Sequence, residues 1–335
     1  MNVDVLKSLL ETFGPSGREE KVRDKIVELI KNLVDGYRVD KLGNLIAWKN
    51  GTGPNKKRVL FDAHMDQIGV VVTYKDENDF LRVEPVGGIT PQVIYGMRLN
   101  FNGTIGVVGV ERETSKAYKE NLKNLDFDKM FVDIVTSNGS NIEVGSFGVY
   151  DAKPIFAEKK VMSPALDDRI GCAMLVELLN VVDNPYNDLY LAFSVQEEHS
   201  LAGASVEAFD IKPDIAVAVD VTASADTPKA DKRTSMIMGK GPAIKVMDSL
   251  SVSNVKVVEL LKRTAENNNL RYQMEVLHMG GTDAFGIERT AEGVLTGALS
   301  IPTRYIHTPS EVCNLEDANE GVKLMKILIE EEITF

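Results

Sequence analysis

The sequence predicts an α/β fold: a mixed, mostly parallel sheet sandwiched by helices, with a small β-barrel domain inserted into it. Two observations carry this. Residues 1–65 and 163–335 alternate strand-like and helix-like segments, the pattern of a largely parallel sheet covered on both faces. Residues 66–162 read instead as short β-branched runs split by glycine, the texture of a small barrel or sandwich. The expected organisation is one α/β domain, 1–65 plus 163–335, interrupted by a β domain at 66–162.

The elements follow in order. Val5, Leu9 and Leu10, then Val22, Ile26, Ile30 and Val34, repeat at helical spacing and predict two opening helices. Gly14-Pro15-Ser16-Gly17 is turn chemistry between them, and Ser16 with Glu19 and Glu20 suits a helix start. The segments YRVD, NLIAWK and RVLFDAHMD then read as strands. Within the insertion the runs IGVVVTY, FLRVEPV, RLNFNGTIGVVGV and GSFGVYDA are strand-like, with one helical piece near Lys119 to Asp126. Beyond Ser163 come a helix at about 169–182, the strand DLYLAFSV, a helix near Ala204 and the strand DIAVAVDV. A helix at 254–267, the strands YQMEVL and VLTGALSI, and a helix around 315–333 complete the chain.

Composition bounds the function. The chain has 335 residues, 38 Lys plus Arg against 50 Asp plus Glu, and a formal charge of −12. That balance argues against a nucleic-acid partner, because phosphate neutralisation needs clustered basic residues. Two cysteines, Cys172 and Cys313, make no disulfide framework and point to a reducing compartment. Asp4, Lys7 and Glu11 break any apolar signal-peptide core, and no apolar run approaches the roughly 18–20 residues of a membrane span. The expectation is a soluble cytoplasmic protein with no membrane partner.

The chemistry gathers at strand ends. His64 follows VLFDA, Glu197-Glu198 follows LAFSVQ, Asp220 ends IAVAV, and His307 follows a strand and the segment IPTRYI. In open α/β sheets the ligand site lies at the carboxyl ends of the strands. Asp167-Asp168 precedes a helix, where helix capping is an equally good reading. Asp220 is harder to read as bland, since a charge embedded after IAVAV needs a partner or a metal. Imidazole plus carboxylate without thiolate suits Zn²⁺, Co²⁺ or Mn²⁺. Two histidines with three or more carboxylates exceed one tetrahedral site and suit two ions about 3.5 Å apart. Asp66, two residues after His64, is spaced to orient its imidazole. In the Glu pair, one residue can bind metal while its neighbour serves as general base.

The blocks DAHMDQIGVVV (62–72), VGGI (86–89), ALDDRIGCA (165–173), SVQEE (194–198), AVDVT (218–222), GGTDA (280–284) and IPTRYIHTPSE (301–311) resemble the M42 metallo-aminopeptidases, the group that includes the tetrahedral TET peptidases. The resemblance spans nearly the whole chain and implies a zinc-exopeptidase-like catalytic domain with an inserted domain for dimerisation or as a lid. It implies that His64, Asp167 and Asp220 hold one metal and that Asp167, Glu198 and His307 hold the other, Asp167 bridging. Glu197 would be the general base, Asp66 would support His64, and the Asp167–Asp168 peptide bond is often cis in related enzymes. The cofactors implied are two divalent ions per subunit, Zn or Co. The substrates implied are peptides with a free N-terminus, and the assembly implied is a dimer or dodecamer. Gln67 and His199-Ser200 depart from the usual pattern. His199 reads first as an exposed loop residue and second as a pocket residue, His278 as packing near the rim, and Arg233 first as a loop residue and second as the guard of an acidic pocket. Other readings are a related dinuclear amidase or deacylase, an endoglucanase as some relatives have been labelled, and a non-catalytic assembly protein.

Overall fold

The structure is a computed structural model that describes residues 1–111, 122–136, 141–231, 233 and 236–335. Strands β1 (Gly36–Val39), β2 (Leu45–Lys49) and β3 (Arg58–His64) come first, after helices Val3–Leu10 and Glu20–Ile30. Strands β4 (Gly69–Lys75), β5 (Leu81–Val86), β6 (Arg98–Phe101), β7 (Thr104–Val110), β8 (Met130–Ile134) and β9 (Phe147–Tyr150) follow. Then come β10 (Ile155–Ala157), β11 (Lys160–Ser163), β12 (Asp188–Ser194), β13 (Ile215–Ala223), β14 (Ala243–Met247), β15 (Gln273–Val276), β16 (Leu295–Arg304) and β17 (Glu311–Asn314).

Eleven strands form one large sheet in the order β1-β2-β12-β3-β13-β16-β17-β11-β10, with β14 paired to β16 and β15 to β14. The four central strands β12, β3, β13 and β16 are mutually parallel, so their carboxyl ends share one rim. The sequence explains why they sit in the middle. Val59, Phe61 and Ala63 of β3 face one core cluster, whereas Leu60 faces another. On β13, Ile215, Val217 and Val219 face the first cluster and Ala216 the second. A strand buried on both faces is apolar at most positions, and β3 departs from this at the buried Asp62 and His64. Helices Leu166–Val181 and Leu315–Glu330 contribute to the first cluster; Ala202–Ile211 and Ala284–Glu288 contribute to the second.

Strands β4 to β9 close into a six-stranded barrel in the order β4-β5-β8-β7-β6-β9. Its core is Val70, Val72, Leu81, Val83, Leu99, Phe101, Val108, Met130 and Val132. On β7, Thr104–Val110, buried and half-buried residues alternate strictly, as a barrel wall requires.

Three features differ from the sequence expectation. The expected insertion runs to residue 162, but β10 and β11 hydrogen-bond into the large sheet through β17. Strands β8, β10, β11, β14 and β17 have no counterpart among the expected elements; all are short, and β14 carries the polar residue Lys245. The helical piece expected near 119–126 falls partly outside the described residues. No helix among the described residues is long and apolar enough to cross a membrane.

Candidate metal centre

The carboxyl rim of the parallel strands brings five of the expected residues together. His64 is the last residue of β3, and Glu197 and Glu198 begin a short turn of helix after β12. Asp220 is the sixth of the nine residues of β13, and His307 follows β16 in the left-handed region at φ 64°. Asp167 opens the Leu166–Val181 helix with non-helical backbone, and its peptide bond to Asp168 is cis.

Asp167 stands between the two histidines. Its Oδ1 is 3.0 Å from His64 Nε2 and its Oδ2 is 3.4 Å from His307 Nε2. Glu198 Oε2 lies 3.0 Å from His307 Nε2. On the other side, Asp220 Oδ1 and Glu197 Oε2 each lie 3.8 Å from His64 Nε2. Ligand atoms fall into two groups, each within 4.8 Å of one another: His64, Asp168 and Asp220, and Asp167, Glu198 and His307. Asp168 thus enters a group where the resemblance implied only Asp167. One Asp168 oxygen accepts from Gly171 N at 3.1 Å, the expected helix-capping role, while Oδ2 is buried with no hydrogen-bond partner. The capping and site readings therefore meet in Asp168, whereas Asp167 belongs to the site alone. The fit to divalent cations rests on this donor set: buried imidazole and carboxylate, no thiolate, and an orphaned buried oxygen.

The surroundings orient these groups. His64 Nδ1 lies 3.1 Å from the Asp66 carbonyl oxygen and 3.5 Å from its Oδ1. The Asp66 carboxylate accepts from Glu197 N at 3.0 Å and Glu198 N at 3.2 Å, so one buried residue holds both the histidine and the glutamate turn. Burial pushes the Asp66 carboxyl up, but its bonds with His64 and these amides hold it below its ordinary value. Burial pushes Asp220 up to about 8 and Glu197 well above the carboxylate range. For His307, burial opposes the charge, yet Asp167 and Glu198 push the imidazole up to about 12. Positive and negative groups this closely matched in a buried site are the expected trace of a cation-binding or acid–base centre.

Several contributors escaped the sequence reading. Glu311, at the start of β17, accepts from Asp167 N at 3.1 Å and from His307 N at 2.8 Å. Its only signal was its place four residues after His307 in the same block. Arg169 is fully buried and donates to the carbonyls of Met65, Leu9, Thr12 and Gly14 at 2.6–3.2 Å, tying the N-terminal helix to the His64 strand. Glu19, read as a helix-start residue, accepts from Gly17 N and Gln196 N, and burial beside Asp66 pushes it to about 7. From the barrel side, Gly88 packs on His307: a Cβ there would sit 2.5 Å from Nδ1. Gln67 is buried and its main chain bonds the 14–16 turn. Arg233 is exposed and paired with Asp231, the loop role expected of it. His199 is exposed and also lines the cavity described next; His278 is exposed between two lining residues.

The ligand groups open onto a cavity of about 610 Å³. A family model for M42 glutamyl aminopeptidase matches residues 43–324. The chain belongs to the M42 peptidase family. This M42 peptidase is 34% identical to a lysyl aminopeptidase of Pyrococcus furiosus, over 98% of this chain and 96% of the relative. Its structure is similar to the aminopeptidase APDkam598 of the archaeon Desulfurococcus kamchatkensis, with TM-score 0.92, 34% identity, and 98% and 94% of the two chains covered. It is also similar to the Pyrococcus horikoshii TET1 peptidase, described as assembling into a tetrahedron or a large octahedral shell, with TM-score 0.84, 32% identity, and 98% and 99% covered. The M42 peptidase is therefore a peptide hydrolase of aminopeptidase type, from a metal-dependent family.

Proposed function

We propose that this chain is a dinuclear metal-dependent aminopeptidase that removes N-terminal residues from peptides. The observation that carries the reading is Asp167, which offers one carboxylate oxygen to each histidine, at 3.0 and 3.4 Å. His64, Asp167 and Asp220 would hold one ion, and Asp167, Glu198 and His307 the other, with Zn²⁺ or Co²⁺ suited to this donor set. When bound, two such ions acidify a water and polarise the scissile carbonyl. Glu197 then acts as the general base. It lies 3.8 Å from His64 Nε2, and burial pushes its carboxyl above the ordinary carboxylate value. It takes a proton from water and delivers it to the leaving amine. Asp66 fixes the turn that carries Glu197, through its two bonds to the 197 and 198 amides.

Self-association into a dimer or larger shell is part of the proposal, supported by the described assembly of the TET1 relative. The β barrel would serve as a dimerisation element or lid. A cytoplasmic location is consistent with two buried cysteines that are unbridged. The test is a panel of aminoacyl p-nitroanilides after chelation and after Zn²⁺, Co²⁺ or Mn²⁺ is restored. Hydrolysis lost on chelation and regained with metal is expected. Turnover indifferent to chelation, or none with any metal, would overturn the reading.

A further inference from the structure

We propose that the cavity selects peptides whose N-terminal side chain is neutral and apolar, of leucine or methionine size. The inference rests on the aminopeptidase reading above and names its substrate class. Away from the ligand groups, the lining includes the large apolar side chains Leu250, Leu277, Met279 and Ile306 beside the polar Ser200 and Thr222. Leu250 and Met279 are 46% and 54% exposed, so each offers apolar surface that a bound side chain would cover.

This wall is preformed. Leu250 packs against Gly281 so closely that a Cβ there would lie 2.3 Å from its Cδ1. Asp248 Oδ1 accepts from the backbone N–H groups of Leu250 and Ser251 at 2.9 and 2.8 Å. Ser249 N donates to the Gly280 carbonyl at 3.3 Å, and Leu277 N to the Met247 carbonyl at 2.9 Å. The 248–251 and 277–281 loops therefore brace each other, and little ordering is left to be done on binding.

Charge argues the same way. Lys245 is the one lysine or arginine in the lining among the described residues. It is buried, with Nζ 3.6 Å from Asp248 Oδ2, and it also feels Glu275 and Asp220. One positive charge faced by three carboxylates offers nothing to an acidic side chain. A basic side chain fares no better. The carboxylates of the lining, Asp167, Glu197, Glu198 and Asp220, belong to the candidate metal centre, and Asp248 and Glu275 are not part of the lining. His199 stands exposed at the mouth. An apolar side chain, by contrast, gains the transfer free energy of leaving water.

The experiment compares Leu, Met, Ala, Glu and Lys p-nitroanilides on the Co²⁺-loaded protein, and binding of free L-leucine, L-glutamate and L-lysine by calorimetry. Expected is kcat/KM for Leu about 10- to 100-fold above Ala, with Glu and Lys below both, and leucine the tightest of the three amino acids. Leu250→Ala and Met279→Ala should each shrink the Leu-to-Ala ratio. Hydrolysis that favours Glu or Lys, or a ratio unmoved in both variants, would overturn this inference and leave the aminopeptidase reading standing. Failure to hydrolyse any aminoacyl substrate would overturn both.

Discussion

Glu311 is the residue whose removal separates positioning from ligation. It touches neither histidine ring, yet its carboxyl accepts from the amides of Asp167 and His307 at 3.1 and 2.8 Å. Those two residues are two of the three that would hold the second ion, Glu198 being the third. Glu311→Ala leaves two buried N–H groups unpaired, at about 1–3 kcal/mol each, so the variant should lose about 2–6 kcal/mol of stability. The loss of an outer partner should also weaken metal binding about 10- to 100-fold. Glu311→Gln keeps one carbonyl acceptor but turns an N–H₂ group toward the other amide, so it should recover about half of each loss. The assay is calorimetric titration of chelator-stripped protein with Co²⁺ or Zn²⁺, with thermal melts in parallel. A folded Glu311→Ala protein that binds two ions with wild-type affinity would refute the idea that this carboxyl positions the site.

Three further outcomes follow from the geometry. His307→Ala should lose one of two ions first, because the other group retains His64 and Asp220; mass spectrometry under native conditions should count one ion per chain, and a count of two would remove His307 from the ligands. Gly88→Ala should lower kcat/KM about 10- to 100-fold by displacing the His307 ring, with circular-dichroism melts unchanged; wild-type kcat/KM would mean the ring has room to move. Asp226 accepts two bonds from Arg304 at 2.8 Å, and that pairing lowers its carboxyl to about 2. A depressed folded value means its contribution is complete above the unfolded value near 4 and fades as pH falls through about 2. Wild type and Asp226→Asn should therefore differ in stability at pH 6, by about 1 kcal/mol, and converge below pH 2; a gap that persists in acid would contradict this.

Much of the site was legible because apolar strand runs stop abruptly at charge. LAFSVQ ends at Glu197 and IAVAV at Asp220, and a charge at the end of such a run needs a partner or a ligand. The same runs located the central parallel strands, since both of their faces are buried. What the sequence hid depends on contacts distant along the chain. Glu311 sits in a four-residue strand, EVCN, too short for any periodicity. Its partner Asp167 is 144 residues away. Strands β10 and β11 look like the barrel runs before them, and only their pairing to β17 assigns them to the large sheet. Spacing also could not apportion Asp167 and Asp168. Helix capping and metal ligation use the same residue type, and a backbone bend at the helix start places Asp168 for both.

The central claim is that Glu197 moves the proton while other side chains hold the metal. Glu197→Gln, with metal counted and hydrolysis of a leucine p-nitroanilide measured on the same sample, tests it most directly. Two ions per chain and kcat reduced by about 10²- to 10⁴-fold are expected. Two ions retained with near wild-type kcat would contradict it.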